Sequence, residues 1–309
     1  MQIFSNLFNK NKDIPKKIIS FDGGGVRVIA GIVFLKKLEI ESGKKITDIF
    51  DMFVGTSAGA FNASCLAYDD ISMVDLKKYW SKEYLDKIME TSFFWDQASL
   101  IQARPRYETK GRLKLLNEIF GEKTLGESKK PVVTICYDIE KRNHVIHSSN
   151  LTPDVSFVDA VCASSAAPMY FPTYQISDGS WMIDGGVVTN NPTLIGFNHA
   201  KKLFNTDNIK VLSIGAGLNK KKISGVASSK WGGVGWLRND IIGMMLDSEI
   251  HNDIAKDFFN NNYLRINSPI GKINKMLDDD SEENIEKIHL MGLDWWSEFG
   301  ESALNFIEE

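Results

Sequence analysis

Cysteine, strong net charge and long apolar runs are all scarce in this chain of 309 residues. The three cysteines, Cys65, Cys136 and Cys162, are an odd number with no metal-type spacing, and each lies in an apolar segment. They read as small buried hydrophobes, not as a disulfide frame or a zinc site. The formal net charge is only -4 and no Lys/Arg block of binding size occurs, which argues against a nucleic-acid partner. No stretch approaches the ~18 apolar residues that span a bilayer. Met1 to Lys17 lacks the charged start, apolar run and cleavage site of a secretory leader. The expectation is a cytoplasmic protein, peripheral at membranes at most. Internal repeats and low-complexity linkers are missing too, so solenoid architectures are set aside. A composition of 43% hydrophobic and 25% charged residues is ordinary for a globular protein and supplies a full core.

Two glycine-rich turns dominate what is there. Ile18-Ile19-Ser20-Phe21-Asp22-Gly23-Gly24-Gly25-Val26-Arg27 and Asp51-Met52-Phe53-Val54-Gly55-Thr56-Ser57-Ala58-Gly59 each read as a buried strand running into a turn. The second contains Gly-x-Ser-x-Gly, the nucleophile elbow, where a serine sits on a strand-to-helix turn too tight for side chains at Gly55 and Gly59. The start of the next helix then offers N–H groups and a positive dipole end beside that serine. The first turn leaves the N–H groups of consecutive glycines unobstructed, as an oxyanion hole or a phosphate cradle requires. Either turn alone has a plain explanation, a tight bend or a helix cap by Thr56 or Ser57. Their pairing calls for more.

Along the chain, residues 1–15 form a tail whose Ile3, Phe4, Leu7 and Phe8 share a helical face, and residues 16–309 form one domain whose part from 218 on is less conventional. Helices are expected over Val28 to Glu41, after Ser57, over Ser72 to Glu90, over Tyr107 to Phe120, and from an Asp154 cap towards Pro168. Thr91 to Trp95 gathers aromatics suited to a loop over an apolar cleft or to a core corner. Pro131 to Ile139 is the most strand-like run, with Asn143 to His147 paired to it. Pro192 opens a helix through His199 and Leu203, and Ile209 to Ile214 is another strand entering a glycine turn. Trp231 to Trp236 leads into a long helix through Ile241, Met245, Ile250 and Ile254, which with Met244 would suit a flap over an acyl chain or ordinary core. Tyr263 to Ile266 is a short strand, and a last helix runs from Ser281. Repeated strand-turn-helix units imply an α/β fold with a mostly parallel sheet covered by helices.

A serine nucleophile needs a base. The five histidines, His144, His147, His199, His251 and His289, lie on a surface hairpin or within helical patterns, none at a strand end where a base would be presented. Asp184, held between the strand Trp181 to Ile183 and Gly185-Gly186, is the better placed group, and in an apolar cleft its basicity would rise. Arg27 could brace the glycine loop, bind a phosphate or pair at the helix start. A Ser-His-Asp esterase on the same elbow and a nucleotide-binding use of the glycine loop are the rivals. The second lacks a final glycine, since Val28 stands there, and no Gly-Lys-Ser/Thr follows.

Asp22-Gly23-Gly24-Gly25-Val26-Arg27, Gly55-Thr56-Ser57-Ala58-Gly59 and Asp184-Gly185-Gly186, in that order, resemble the motif set of the patatin-like phospholipase family. Ala163 to Pro172 and Val187 to Pro192 are also similar to that family, with a looser echo at Tyr263 to Asn267. The resemblance implies a three-layer α/β/α fold and a lipid acyl hydrolase of phospholipase A type. It implies Ser57 as nucleophile, Asp184 as its base, and Gly24 and Gly25 as oxyanion donors supported by Arg27, without metal or cofactor. A phospholipid or membrane surface would be the substrate; a homo-oligomer, an activating partner and a non-catalytic lipid-binding role stay open. Val28 departs from the family pattern, which commonly has glycine after the arginine.

Overall fold

The computed structural model describes residues 14–91, 104–239, 241–246 and 249–309. The N-terminal amphipathic segment, the aromatic cluster from Ser92 to Trp95 and the Met245 side chain lie outside the described residues.

Short β-branched and apolar runs bounded by glycine, proline and polar residues become the strands β1 (Lys16–Phe21), β2 (Met52–Thr56), β3 (Val132–Asp138), β4 (Asn143–Ser148), β5 (Tyr174–Gln175), β6 (Trp181–Asp184), β7 (Ile209–Ile214) and β8 (Tyr263–Ile266). They form a single mixed sheet ordered β5-β6-β3-β2-β1-β7-β8, with β4 also on β3. The centre, from β3 to β8, is parallel, and β4, β5 and β6 add antiparallel pairs at one side.

The helices are α1 (Ile29–Ser42), α2 (Ile46–Ile49), α3 (Ala58–Tyr68), α4 (Met73–Lys78), α5 (Lys82–Ile88), α6 (Thr109–Phe120), α7 (Phe157–Ser164), α8 (Thr193–Phe204), α9 (Gly225–Ser228), α10 (Gly233–Arg238), α11 (Ile241–Leu246), α12 (Ile250–Phe259) and α13 (Glu282–Glu308). Side-chain alternation along the strands divides the core. Ile19, Phe21, Phe53, Leu212 and Ile214 pack with Phe34 of α1, Phe61 of α3, Val161 of α7 and Trp295 of α13. Ile18, Met52, Val54, Val133, Ile135 and Val211 pack with Ala200 of α8 and Phe259 of α12 on the other face. Burial on both faces is why the central strands read as continuous apolar runs and not as alternation. The architecture is the expected three-layer α/β/α arrangement.

Helix α1 is buried almost all round because α13 lies over it, so close that a side chain at Gly292 would meet the Ala30 carbonyl 2.5 Å away. Gly43, in the left-handed region at φ 67, ends α1 at the expected stop.

Four expectations need correction. Ser72 to Glu90 is two helices, because Tyr79 and Trp80 turn inward: Trp80 Nε1 donates to Asn62 Oδ1 at 2.9 Å and its ring meets Phe61 edge-on. The cap of α7 is Ser156, not Asp154; Ser156 Oγ accepts the Asp159 N–H at 2.9 Å. The long helix from Trp236 is broken into α10, α11 and α12. His147 is buried, not on a surface hairpin, because β4 lies along β3 with its second half inside the fold.

One detail of register positions the site. Strand β4 follows β3 from Val133 to Asp138, while β2 pairs with Val132 to Ile135 and β6 with Cys136 to Asp138. Strands β2 and β6 therefore share one edge of β3 and point at each other. Thr56 pairs with Ile135 and Asp184 with the next residue, Cys136. The residue after β2 and the last residue of β6 must meet.

Candidate active site

Ser57 is that residue. Its Oγ donates to Asp184 Oδ2 at 2.6 Å. Its backbone, φ 55 and ψ -125, lies in a region that non-glycine residues rarely occupy, a strain of about 1–3 kcal/mol held by the surrounding packing. The Ser57 N–H donates to Ser164 Oγ at 3.0 Å, and Ser164 Oγ donates to the Ile135 carbonyl at 2.5 Å, which ties the elbow to α7 and β3. A side chain at Gly59 would strike the carbonyls of Phe21 and Asp22, and one at Gly55 the Gly59 backbone. Only glycines let helix and strand approach so closely.

Asp184 is 5% exposed. Burial raises its carboxyl to about 6, against the opposing pull of the Ser57 hydroxyl, the Gly186 N–H and the more distant Arg112 charge. The Gly186 N–H donates to Asp184 Oδ1 at 2.7 Å, so the turn at Gly185-Gly186 fixes the carboxylate with one oxygen left for Ser57.

The glycine loop leaves β1 beside the elbow. The Gly23 N–H donates to the Asn190 carbonyl at 3.2 Å and the Val26 N–H to the Leu277 carbonyl at 2.9 Å. Among the described residues, the N–H groups of Gly24 and Gly25 have no acceptor. Gly25 has φ 54 and lies against the Leu277 carbonyl, so a side chain there is excluded twice. Arg27 is buried in the first turn after the loop, its N–H donating to the Gly24 carbonyl at 3.2 Å. Val28, where the sequence departs from the motif, packs with Ala58 and Ala216 and so fills space between the two turns.

With these elements placed, the comparison with known sequences is decisive: a family model of the patatin-like phospholipase matches residues 19–197, which include all three motifs. The chain belongs to the patatin-like phospholipase family. Patatin-like protein 4 of Arabidopsis thaliana is 31% identical, over 92% of this chain and 85% of that protein. Patatin-15 of Solanum tuberosum is 28% identical, over 89% of this chain and 82% of that one. Among solved structures, VipD from Legionella pneumophila superimposes with a TM-score of 0.53 at 17% identity, covering 93% of this chain and 67% of its own, and so shares the fold. Membership places this patatin-like protein among lipid acyl hydrolases.

Several residues around the patatin-like site escape motif reading. Arg265 on β8 grips Asp22 with both guanidinium nitrogens, at 2.8 and 2.5 Å, and also reaches Ser213 and Glu249. Both partners are nearly fully buried, so this pair clamps the root of the glycine loop. Asn190 Nδ2 donates to the Gly23 carbonyl at 3.2 Å, and Thr56 Oγ1 to the Thr189 carbonyl at 3.1 Å, which straps both turns together. The sequence echo at Tyr263 to Asn267 and the Asn190-Asn191 pair were the available signals. None of the histidines hydrogen-bonds Ser57 or Asp184 among the described residues. His251 Nδ1 meets Thr189 Oγ1 at 3.0 Å and His199 Nε2 meets Asn150 Oδ1 at 2.5 Å. No group of three or more His, Cys, Asp or Glu converges among the described residues.

Beside Ser57 lies a cavity of ≈ 120 Å³, partly open to solvent. Phe61, Trp80, Leu85, Leu115, Tyr170 and Phe171 wall it, and Ser57, Gly25 and Arg112 reach it too. Asp278 also lines it and accepts from Tyr107 Oη at 2.6 Å and from Arg106 Nη1 at 2.5 Å. Among the described residues, no helix is long and apolar enough to cross a membrane.

Proposed function

We propose that this protein cleaves fatty-acyl esters of glycerophospholipids through a Ser57 acyl-enzyme. The observation that carries the reading is the 2.6 Å hydrogen bond to a buried carboxylate from Ser57, which itself lines an apolar cavity. Asp184, with its carboxyl near 6, is ionised at neutral pH yet more basic than an exposed aspartate. It takes the Ser57 proton as Oγ attacks the ester carbonyl. The tetrahedral oxyanion is received by the N–H groups of Gly24 and Gly25, each such donor being worth about 10²–10³ in rate. Arg27 braces that loop. Collapse breaks the ester C–O bond; Asp184 returns the proton to the departing alcohol and leaves the acyl group on Ser57. Asp184 then deprotonates a water that attacks the acyl-enzyme, releasing the fatty acid and restoring the Ser57 hydroxyl. These residues complete the cycle without a metal or cofactor.

The aromatic and aliphatic walls of the cavity suit the apolar part of a lipid, and a substrate drawn from a lipid surface fits a peripheral protein with residues 16–309 working as one catalytic unit. The absence of a histidine partner on Ser57 speaks against the Ser-His-Asp alternative. Acyl release from phospholipid vesicles, measured for the wild type, Asp184→Asn and the five single His→Ala variants, tests the assignment. Loss in Asp184→Asn alone is expected. An indispensable histidine with Asp184→Asn still active would overturn it.

A further inference from the structure

A buried cation near the dyad has no role in the steps above. Arg112 on α6 is 4% exposed and lines the same cavity as Ser57. Its Nη1 donates to the Ser165 carbonyl at 2.6 Å and to Ser165 Oγ at 3.1 Å, and its guanidinium lies over the Phe171 ring at 4.3 Å. Among the described residues its Nε and Nη2 meet no oxygen or nitrogen acceptor, and no carboxylate lies within ion-pair distance. The Cys162 thiol feels its charge and lies within hydrogen-bond reach of the guanidinium, but a buried thiol is a weak acceptor and no substitute for an anion. A guanidinium withdrawn from water with no oxygen acceptor on Nε and Nη2 is costly unless an anion meets it.

The neighbours fix where that anion would sit. Ser165, which holds Arg112, follows Ser164, which holds the Ser57 N–H; Ser165 and Phe171 both line the cavity. Ser57 and Arg112 line one cavity, so a lipid with its ester carbonyl at Ser57 has Arg112 within the same space. We infer that Arg112 receives the phosphate of the bound glycerophospholipid through Nε and Nη2, making it a specificity-determining residue for phosphate-bearing esters over neutral ones. The fork of two N–H groups matches two phosphate oxygens. The Ser165 contacts and the Phe171 ring hold the fork in place before substrate arrives.

This inference rests on the hydrolase reading, and the test separates the two. Wild type, Arg112→Gln and Arg112→Lys are assayed on phosphatidylcholine and on diacylglycerol in the same mixed micelles, with fluorophosphonate labelling and thermal melting alongside. In Arg112→Gln the selectivity for phospholipid over diacylglycerol should fall roughly 10- to 100-fold, the range of charge-assisted hydrogen bonds, mainly through KM. Arg112→Lys should recover part of it. Glycerol 3-phosphate should inhibit diacylglycerol hydrolysis by the wild type and much less that by Arg112→Gln. Equal losses on both substrates, or an unchanged ratio, would show that Arg112 only seats the end of α7 and would overturn the inference. If Arg112→Gln does not fold, the wild type decides: failure of glycerol 3-phosphate to inhibit overturns it. A wild type that neither labels nor releases acyl from either lipid defeats the hydrolase reading instead, and calorimetric binding of glycerol 3-phosphate to that protein still reports on Arg112.

Discussion

Asp184→Asn tests the electrostatics of the dyad independently of turnover. Burial lifts the Asp184 carboxyl from 3.8 to about 6, so the folded state holds this proton about 3 kcal/mol more tightly than the unfolded chain does. The sign follows from proton counts. Between 3.8 and about 6 the folded protein binds more protons at this site than the unfolded chain, so the contribution is fully present below 3.8 and is lost as pH rises through about 6. Above that, the buried carboxylate is a standing destabilisation. Asparagine keeps the shape and an oxygen for the Gly186 N–H but cannot ionise. The stability of Asp184→Asn relative to wild type should therefore rise by about 2–3 kcal/mol from pH 4 to pH 8, while acyl release disappears. Fixed costs of the new amide cancel in that difference, as do the other titrating groups. Urea denaturation of both proteins at pH 4, 5, 6, 7 and 8 reads it out. A flat difference, or one that shrinks with pH, would refute a buried, charged base at this position.

Other expectations follow from the same geometry. Acyl release by the wild type should decline about tenfold per pH unit below about 6, as the base is protonated; a pH–rate profile checks this. Arg265→Met should destabilise the fold by about 3–5 kcal/mol in chemical denaturation, because buried Asp22 loses its bidentate ion pair with Arg265, and adding Asp22→Asn should recover part of the loss. Gly25→Ala, facing the Leu277 carbonyl at φ 54, should distort the loop and slow fluorophosphonate labelling of Ser57 by about 10²-fold. EDTA should leave acyl release unchanged; a strict calcium requirement would contradict the two-residue chemistry.

What was legible in the sequence is what is local. A strand entering a glycine turn is encoded within ten residues, so the glycine loop, the elbow and the Asp184 turn could all be located, as could the end of α1 at Gly43 and the start of α13 at Ser281. The pairing of Ser57 with Asp184 was legible from the strand-end turn at Gly185-Gly186 and the lack of a histidine so presented, and the motif resemblance implied the same pair. Its physical cause, two strands abutting head-on along one edge of β3, depends on a register set by pairs far apart in sequence. Arg112 carried no signal of its own and Arg265 only the looser echo at Tyr263 to Asn267: an arginine on a strand or helix reads as a solvated surface charge until the fold buries it. The break at Tyr79-Trp80 was hidden for a similar reason, because the ring that turns inward is answered by Asn62 and Phe61 on another helix.

The central claim is that Ser57 is the activated nucleophile, and covalent labelling tests it most directly. Wild type, Ser57→Ala and Asp184→Asn are treated with a fluorophosphonate, and intact mass with peptide mapping locates and counts the adduct while acyl release from phospholipid vesicles is followed in parallel. The account predicts one adduct on Ser57 in the wild type, none in Ser57→Ala, slow labelling in Asp184→Asn, and fatty-acid release by the wild type only. An adduct on another residue, or fatty-acid release by Ser57→Ala at the wild-type rate, would contradict it.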